Sequence, residues 1–525
     1  MNLEPAVAPL EGLSVEVADQ GQPFDIAAWL LASMGASVSA SGPSHSPRDV
    51  SVARIALAAE SARDGCGALL TPSPVRLSDA GLPEGCLDYA TGVTLAAGAI
   101  AGWLTGATIV VHETAVALEV RLPDVMATSY SAPNPMRPRP PRRAPGGGFY
   151  HADLGASGAA DDFDRLLATL RPDVPAADIA AASQEWRLAV CDYRRASHRS
   201  GKGPHTPGSP GWCPIRFEGV VPQDPRDLND RVEGRPWKGR AGALDTAVLD
   251  MTNMWAGPLG TRVLEQLGSR VTKVEPSFRP DGTRAMRGGG IYPGGEQVDP
   301  GHDSGMWNAL NWTKRHVDID LRIPSQRRRF ADLAGTCDVV VESFSPRACA
   351  NLGISELVGD EAILVSIPAF RPGPQRDWVA YGSGVHAQSG LGDVTTSSAA
   401  RTPVVTTDGC FSEPAVSYPD PLAGLTASLG IVAALAGRFL GTQVRRVEVS
   451  LDAAIQPLVD GTNSKRITRT DSTSTRPAST CTLIDSADDQ GALLLELGRQ
   501  AGLTVRRPVG GKFLDHPVGP LGARR

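Results

Sequence analysis

The sequence predicts an α/β fold: an open, mostly parallel sheet with flanking helices, built as two related units, the N-terminal one degenerate. Three observations carry that reading. Short β-like runs alternate with helical segments from residue 246 to residue 367, the pattern of βαβ units. One run, "CDVVVESF" (337–344), opens on continuous apolar residues, as strands buried on both faces of a parallel sheet do. The chain also echoes itself. "DYATGVTLAAGAIAGWL" from Asp88 aligns without a gap on "DPLAGLTASLGIVAALA" from Asp420, pairing Gly92 with Gly424, Thr94 with Thr426 and Gly98 with Gly430.

The first unit opens with "LSVEVADQGQPFDIAAWLLASMGASVSASGP" (13–43), which lies beneath residues 246–276 and matches Val15 to Val248, Leu31 to Leu264 and Gly35 to Gly268. Residues 89–111 are uncharged and long enough to cross a bilayer. Their Gly, Ala and Thr content and their echo of 421–437 favour a helix packed inside the protein. Pro-, Gly-, Ser- and Arg-rich stretches at 131–150 and 197–212 read as linkers, the "MRPRPPRRAP" run among them. The units are therefore set at 1–222 and 245–463, joined by a linker at 223–244 and followed by a polar segment and C-terminal tail over 464–525.

In the second unit, "TAVLDMT" (246–252) is a strand, "AGPLGTRVLEQLGS" a helix with Leu259, Val263, Leu264 and Leu267 on its apolar face, and "RVTKVEP" a strand again. "HVDIDL", the helical "PSQRRRFADLAGT", "CDVVVESF" and "AILVSIP" continue the alternation toward a Rossmann-like sheet. Ligands of such sheets sit beyond the C-terminal strand ends. Lys273, Arg284, Lys314, Arg315 and Arg347 are biased toward that rim, and several cations there suit a polyanion with phosphates. Neither a GxGxxG after a strand nor a GxxxxGK[ST] occurs, so no dinucleotide fingerprint or P-loop is supported. "RGGGIYPGG" (287–295) reads as a flexible loop.

Bulk properties narrow the function. The 525 residues are 41% hydrophobic and 21% charged, with a net charge of −6, a soluble globular balance without a nucleic-acid-binding bias. Eight cysteines without a CxxC pair read as reduced and cytoplasmic, and no clustered Cys/His spacing suggests zinc. The first residues lack the basic flank and apolar core of a signal peptide. Asp420 stands out as a lone carboxylate at the mouth of an apolar run. Its position suits a helix N-cap or a nucleophile, and the stretch itself does not choose.

Taken in order, "VLDMTNMWAGPLGTRVLEQLGSRVTKVEP", "DGTR", "NWTKRHVDIDL", "CDVVVESFSPRACANLGI", "WVAYGSG" and "DPLAGLTASLGIVAALAGR" resemble the class III (CaiB/BaiF-type) CoA-transferase family over roughly 245–460. That family includes formyl-CoA transferase and alpha-methylacyl-CoA racemase. "FDRLLATLRPDVPAADIAAASQEWRLAVCDYR" and "CPIRFEGVV" in the first half resemble the family's C-terminal return segments.

The resemblance implies transfer of CoA between an acyl-CoA and a carboxylic acid, with no tightly bound cofactor, no nucleic-acid partner and no membrane. It places Asp420 as the nucleophile that forms an aspartyl anhydride and then an aspartyl-CoA thioester. It assigns CoA contacts to Trp255, Ala256, Lys273, Arg284, Lys314 and Arg315, and to Ser343, Phe344 and Arg347 of the "SFSPR" loop. Trp255 stands where formyl-CoA transferases carry glutamine, which suits a bulkier acyl group than an oxalate-type acceptor. Racemases of the family use a histidine in a "GHD" triplet. Here "QRD" puts Arg376 in that place, which favours transfer, with a racemase/isomerase-type member or a CoA-binding non-catalytic homologue as alternatives. Asp88 is the counterpart of Asp420 in the first unit, without the basic strand-end residues. The family's lobe after residue 460 is short, so the expected assembly is a homodimer or an internal pseudo-dimer in which the first unit replaces a partner.

Overall fold

The computed structural model describes residues 8–17, 22–40, 53–59, 67–71, 73, 82–83, 85–130, 139–154, 158–194, 213–222, 243–284, 305–393, 404–406, 409–411, 413–461, 490–501, 503–509, 512–519 and 521–523. The stretches 131–138, 197–212, 223–242, 287–295 and 464–489, which cover most of the expected linkers and loops, lie outside them.

The first half lays down β1 (Leu13–Val17), α1 (Gln22–Ser33), β2 (Ser37–Ala40), β3 (Ala53–Ala59), β4 (Gly67–Thr71), α2 (Cys86–Thr105) and β5 (Thr108–His112), then α3 (Glu113–Val120) and α4 (Leu122–Tyr130). A small lobe follows: β6 (Arg142–Arg143), β7 (Phe149–Asp153), α5 (Ala159–Thr169), α6 (Ala176–Glu185) and β8 (Ala189–Asp192). Arg142 and Arg143, expected in a linker, pair with Tyr150 and Phe149 at the edge of that lobe. The half ends with β9 (Arg216–Glu218) and β10 (Val221–Pro222).

The second half begins with β11 (Ala247–Asp250), α7 (Ala256–Gln266), β12 (Arg270–Val274), α8 (Gly305–Asn311), β13 (Arg315–Val317), α9 (Pro324–Ala334) and β14 (Val339–Glu342). Next come α10 (Pro346–Leu352), α11 (Ile354–Val358), β15 (Ile363–Ser366), α12 (Gly382–Ser389), the hairpin β16 (Val404–Thr406) and β17 (Gly409–Phe411), and the long α13 (Pro419–Phe439). β18 (Thr442–Gln443), β19 (Arg446–Glu448), α14 (Leu451–Gly461), α15 (Gln490–Gln500), β20 (Thr504–Val509), β21 (Lys512–Pro517) and β22 (Leu521–Ala523) complete it. Residues 490–523 are thus a helix and three strands where the sequence reads as a tail.

The two largest sheets are ordered β2-β1-β3-β4-β5-β22 and β13-β12-β11-β14-β15-β19-β9. Strand for strand, β2-β1-β3-β4-β5 has the order of β12-β11-β14-β15-β19, and every neighbouring pair within these sets is parallel. The closing strand of each sheet is antiparallel and comes from the other half: β9 pairs with β19, and β22 pairs with β5. Each half therefore completes the sheet of the other, and one apolar core runs through both.

The echoed glycines mark helix crossings. A Cβ at Gly424 would lie 2.4 Å from the Ala256 carbonyl oxygen, and one at Gly92 would lie 2.8 Å from that of Pro23. Only a residue without a side chain lets α13 approach α7, and α2 approach α1, this closely. Residues 89–102 of α2 and 419–437 of α13 are all buried, which fits core helices. Among the described residues one helix, Pro419–Phe439, is long and apolar enough to cross a membrane, and 89% of its most apolar window is buried in the protein.

Candidate active site

The loop after β11 is held on three sides. The amides of Thr252, Asn253 and Met254 donate to Asp250 Oδ1 (2.9 Å), Ser343 Oγ (3.2 Å) and Asp281 Oδ1 (3.1 Å). Met254 sits at φ 69°, a left-handed conformation that non-glycine residues adopt at a cost when their surroundings impose it.

Behind the loop lies a buried charge cluster. Lys314 Nζ donates to Asp250 Oδ2, the Pro258 carbonyl, Thr261 Oγ1 and Asn311 Oδ1, each at 2.9 Å. Lys273 Nζ donates to the Thr252 carbonyl at 2.7 Å and pairs with Asp281 Oδ2 at 3.2 Å. Burial works against the Asp250 carboxylate, but Lys314 and Lys273 outweigh it and hold the group well below the usual range. Burial pushes Lys314 down to about 8 despite Asp250. Lys273 goes the other way, because Asp250 and Asp281 overcome its desolvation.

Asp420 lies in the first turn of α13 and is 7% exposed. Ser417 Oγ donates to its Oδ2 at 2.7 Å. Its carboxylate also faces Gly382, where α12 begins: a Cβ there would lie 2.2 Å from Oδ2. The site thus sets one carboxylate at two helix N-termini, where free N–H groups favour negative charge. Burial nevertheless raises Asp420 to about 6, against hydrogen bonds from Ser417 and the Gly382 backbone, with Asp153 of the first half adding to the rise. Tyr381, just before α12, shares this neighbourhood: burial raises its phenol, Asp153 and Asp420 add to the shift and Arg279 opposes it.

The small lobe of the first half docks beside this carboxylate. Gln184 of α6 donates to the Val379 carbonyl at 3.1 Å and accepts the Val379 N–H at 2.7 Å. Arg187 donates to the Asp377 carbonyl at 2.9 Å and to Ser345 Oγ at 3.2 Å. The Arg194 amide donates to the Ala387 carbonyl at 3.0 Å.

The residues expected at the site divide into groups. Asp420 is where the sequence places it, at a helix tip. Lys273 and Lys314 are buried and turned onto carboxylates, not onto an open rim. The Trp255 indole is fully buried in the core shared with α13, and Ala256 begins α7 against Gly424. Arg284 Nε donates to Glu275 at 2.6 Å while its guanidinium stacks 3.6 Å above the Trp307 ring. Arg315 and Arg347 are exposed, and Ser343 and Phe344 are half-buried on the loop after β14. Arg376, in the racemase-histidine position, pairs with Glu448 through both terminal nitrogens. His386 Nδ1 lies 3.0 Å from the Tyr418 hydroxyl within the core. Asp88 is half-buried in the first turn of α2. Among the described residues no group of three or more His, Cys, Asp or Glu is placed to hold a metal ion.

Residues 244–479 match the family model of CoA-transferase family III. That segment, less than half of the chain, is what resembles the family. Over 212 residues the chain is 32% identical to a formyl-CoA:oxalate CoA-transferase of Afipia carboxidovorans, covering 40% of this chain and 46% of that protein. A formyl-CoA:oxalate CoA-transferase of Rhodopseudomonas palustris is 31% identical over 218 residues, 41% of this chain and 47% of the relative. The chain thus spans less than half the length of these curated relatives. Among solved structures, Rv3272 from Mycobacterium tuberculosis is 25% identical with a TM-score of 0.34, covering 41% of this chain and 57% of that one.

Ser417, Gly382, Asp153, Gln184 and Arg187 were not read from the sequence as site residues. Ser417 has a local signal, S-x-x-D before the helix, and Gly382 stands in the quoted "WVAYGSG". The other three act across the halves and have no local signature.

Proposed function

We propose that residues 244–479 form a CoA-transferase family III unit that transfers CoA between an acyl-CoA thioester and a carboxylic acid, with Asp420 as the covalent nucleophile. The observation that carries this is a buried carboxylate, at two helix N-termini, whose titration near 6 leaves it mostly ionised at neutral pH.

The Asp420 carboxylate attacks the thioester carbonyl carbon, the C–S bond breaks, and CoA leaves as its thiolate. The thiolate attacks the aspartyl carbonyl of the mixed anhydride, which releases the donor acid and leaves an aspartyl-CoA thioester. The acceptor carboxylate then repeats these two steps in reverse, so no proton is gained or lost overall. Poor solvation makes the attacking oxygen reactive, while the Ser417 hydroxyl and the Gly382 amide keep it ionised and aimed.

Arg315, Arg347 and Arg284 remain the residues proposed to meet the phosphates of CoA, with Ser343 and Phe344 beside them. Lys273 and Lys314 act instead by fixing the loop after β11. A racemase reading is less favoured, because Arg376 is engaged with Glu448 and offers no base.

The first half is proposed to serve as the built-in partner of the second. The shared strand order, the exchanged edge strands and the lobe docked on 377–387 support that reading. Thioester exchange between an acyl-CoA and a panel of carboxylates, run with wild type and Asp420→Ala, tests the proposal. Exchange by wild type and its loss in Asp420→Ala are expected; exchange retained without Asp420 refutes the assignment.

A further inference from the structure

We infer that the C-terminal end of α6, in the first half, positions the Asp420 carboxylate of the second half through Gln184 and Arg187. The inference rests on the proposed nucleophile but concerns different residues, about 240 positions away in the chain.

Gln184 is 6% exposed, and its amide is spent on backbone. Its nitrogen reaches the Val190 carbonyl at 2.9 Å as well as Val379, and its oxygen takes the Val379 amide. The side chain thereby pairs with Val379 as a neighbouring strand would, three residues before Gly382. A shift of the Gly382 amide would disturb that pairing, and Gly382 is, with Asp420's own amide, one of two backbone groups that hydrogen-bond the Asp420 carboxylate. Removing Gln184 takes the partner from the buried Val190 carbonyl and from the half-buried Val379 carbonyl and amide, so the 377–382 segment would relax.

Arg187 holds the same segment one step upstream, and its backbone marks it as unusual. The Leu188 amide donates to the Ser183 carbonyl and the Arg187 amide to Gln184, the paired bonds of a helix end whose next residue is left-handed. Arg187 occupies that place at φ 59°, where glycine is the usual choice. Its guanidinium ties Asp377 to Ser345, so the segment before α12 and the loop carrying Ser343 and Phe344 are fastened to one side chain. Gln184 and Arg187 are positioning residues, because neither is placed to touch the reacting atoms.

Two variants test this in the full chain. Arg187→Gly keeps the left-handed backbone, so the variant is expected to fold. It is expected to lower kcat at least fivefold with KM for acyl-CoA changed less than twofold. Gln184→Leu is expected to speed amide hydrogen exchange across 377–385 at least tenfold. It should also move the acid limb of kcat/KM upward by about half a pH unit, since the lost Gly382 bond had favoured the ionised carboxylate. Among the described residues the other titratable groups bearing on Asp420 are Asp153 of β7 and Tyr381, and both variants leave them in place.

Wild-type kcat, acid limb and exchange in both variants overturn the inference. If Gln184→Leu does not fold, Arg187→Gly decides: a folded variant with wild-type kcat overturns it. Failure of the nucleophile reading looks different, because exchange would then survive Asp420→Ala.

Discussion

Asp420 and Gly382 meet with no room for a side chain between them: a Cβ on residue 382 would lie 2.2 Å from Asp420 Oδ2 and 2.4 Å from Ser417 Oγ. The first residue of α12 is thus a glycine because a carboxylate occupies the space beside it. Gly382→Ala should displace that carboxylate from the helix tip. We expect a loss of activity of about 100-fold, in line with removal of one preorganised donor, with destabilisation of about 1–3 kcal/mol. Steady-state exchange rates and urea unfolding check both numbers.

The raised titration of Asp420 is also a statement about stability. Its ordinary value of 3.8 rises to about 6 in the folded protein, so the fold favours the protonated acid. That preference is fully present below 3.8 and is lost as pH rises through 6. At pH 7 the ionised carboxylate therefore weakens the fold, and Asp420→Asn should stabilise the protein by about 1–3 kcal/mol while abolishing transfer. Melting curves between pH 4 and pH 8 should show the gain appear across that window and stay constant above it.

Asp250 meets a different fate on mutation. It neutralises Lys314 and supports Lys273 inside a site closed to solvent, and both lysine side chains are 0% exposed. Asp250→Ala leaves buried positive charge uncompensated and should cost about 3–5 kcal/mol. The loop carrying Met254 should lose its strained conformation with it. Denaturation in urea at low and high salt measures this, and the loss should be nearly salt-independent because the pair is screened from solvent.

Arg315 and Arg347 are exposed, so the phosphate contacts proposed for them would act as uniform binding. Arg315→Ala and Arg347→Ala should each raise KM for acyl-CoA severalfold without lowering kcat. The effect should shrink as salt is raised. A fall in kcat with unchanged KM would place these residues at the reacting atoms instead.

Much of the architecture was legible because it is written locally. The apolar run at 339–341, the alternation around it and the echoed glycines each report their own surroundings. Gly92 and Gly424 could be paired by eye because both answer the same helix-crossing requirement. Of the candidate site, the place of Asp420 at a helix tip was legible. Lys273 lies near the C-terminal end of β12, as a phosphate rim would require, whereas Lys314 directly precedes β13 at its N-terminal end; Asp250 and Asp281 claim both, and a charge pattern does not reveal which carboxylate folds back onto it. Trp255 reads as a pocket wall in one dimension and packs as core in three. The closing strands were hidden for a further reason: β22 and β9 each pair with the opposite half, and three paired residues leave no periodicity to detect. Gln184 and Arg187 act over nearly 200 positions, so only the folded chain brings them to the site.

The most direct test is chemical trapping. The full chain is incubated with an acyl-CoA, quenched with hydroxylamine, digested and read by mass spectrometry. The account predicts a hydroxamate on Asp420, absent without acyl-CoA and absent from Asp420→Ala. Turnover with Asp420 unmodified, or a hydroxamate on another carboxylate such as Asp88 or Asp153, would contradict it.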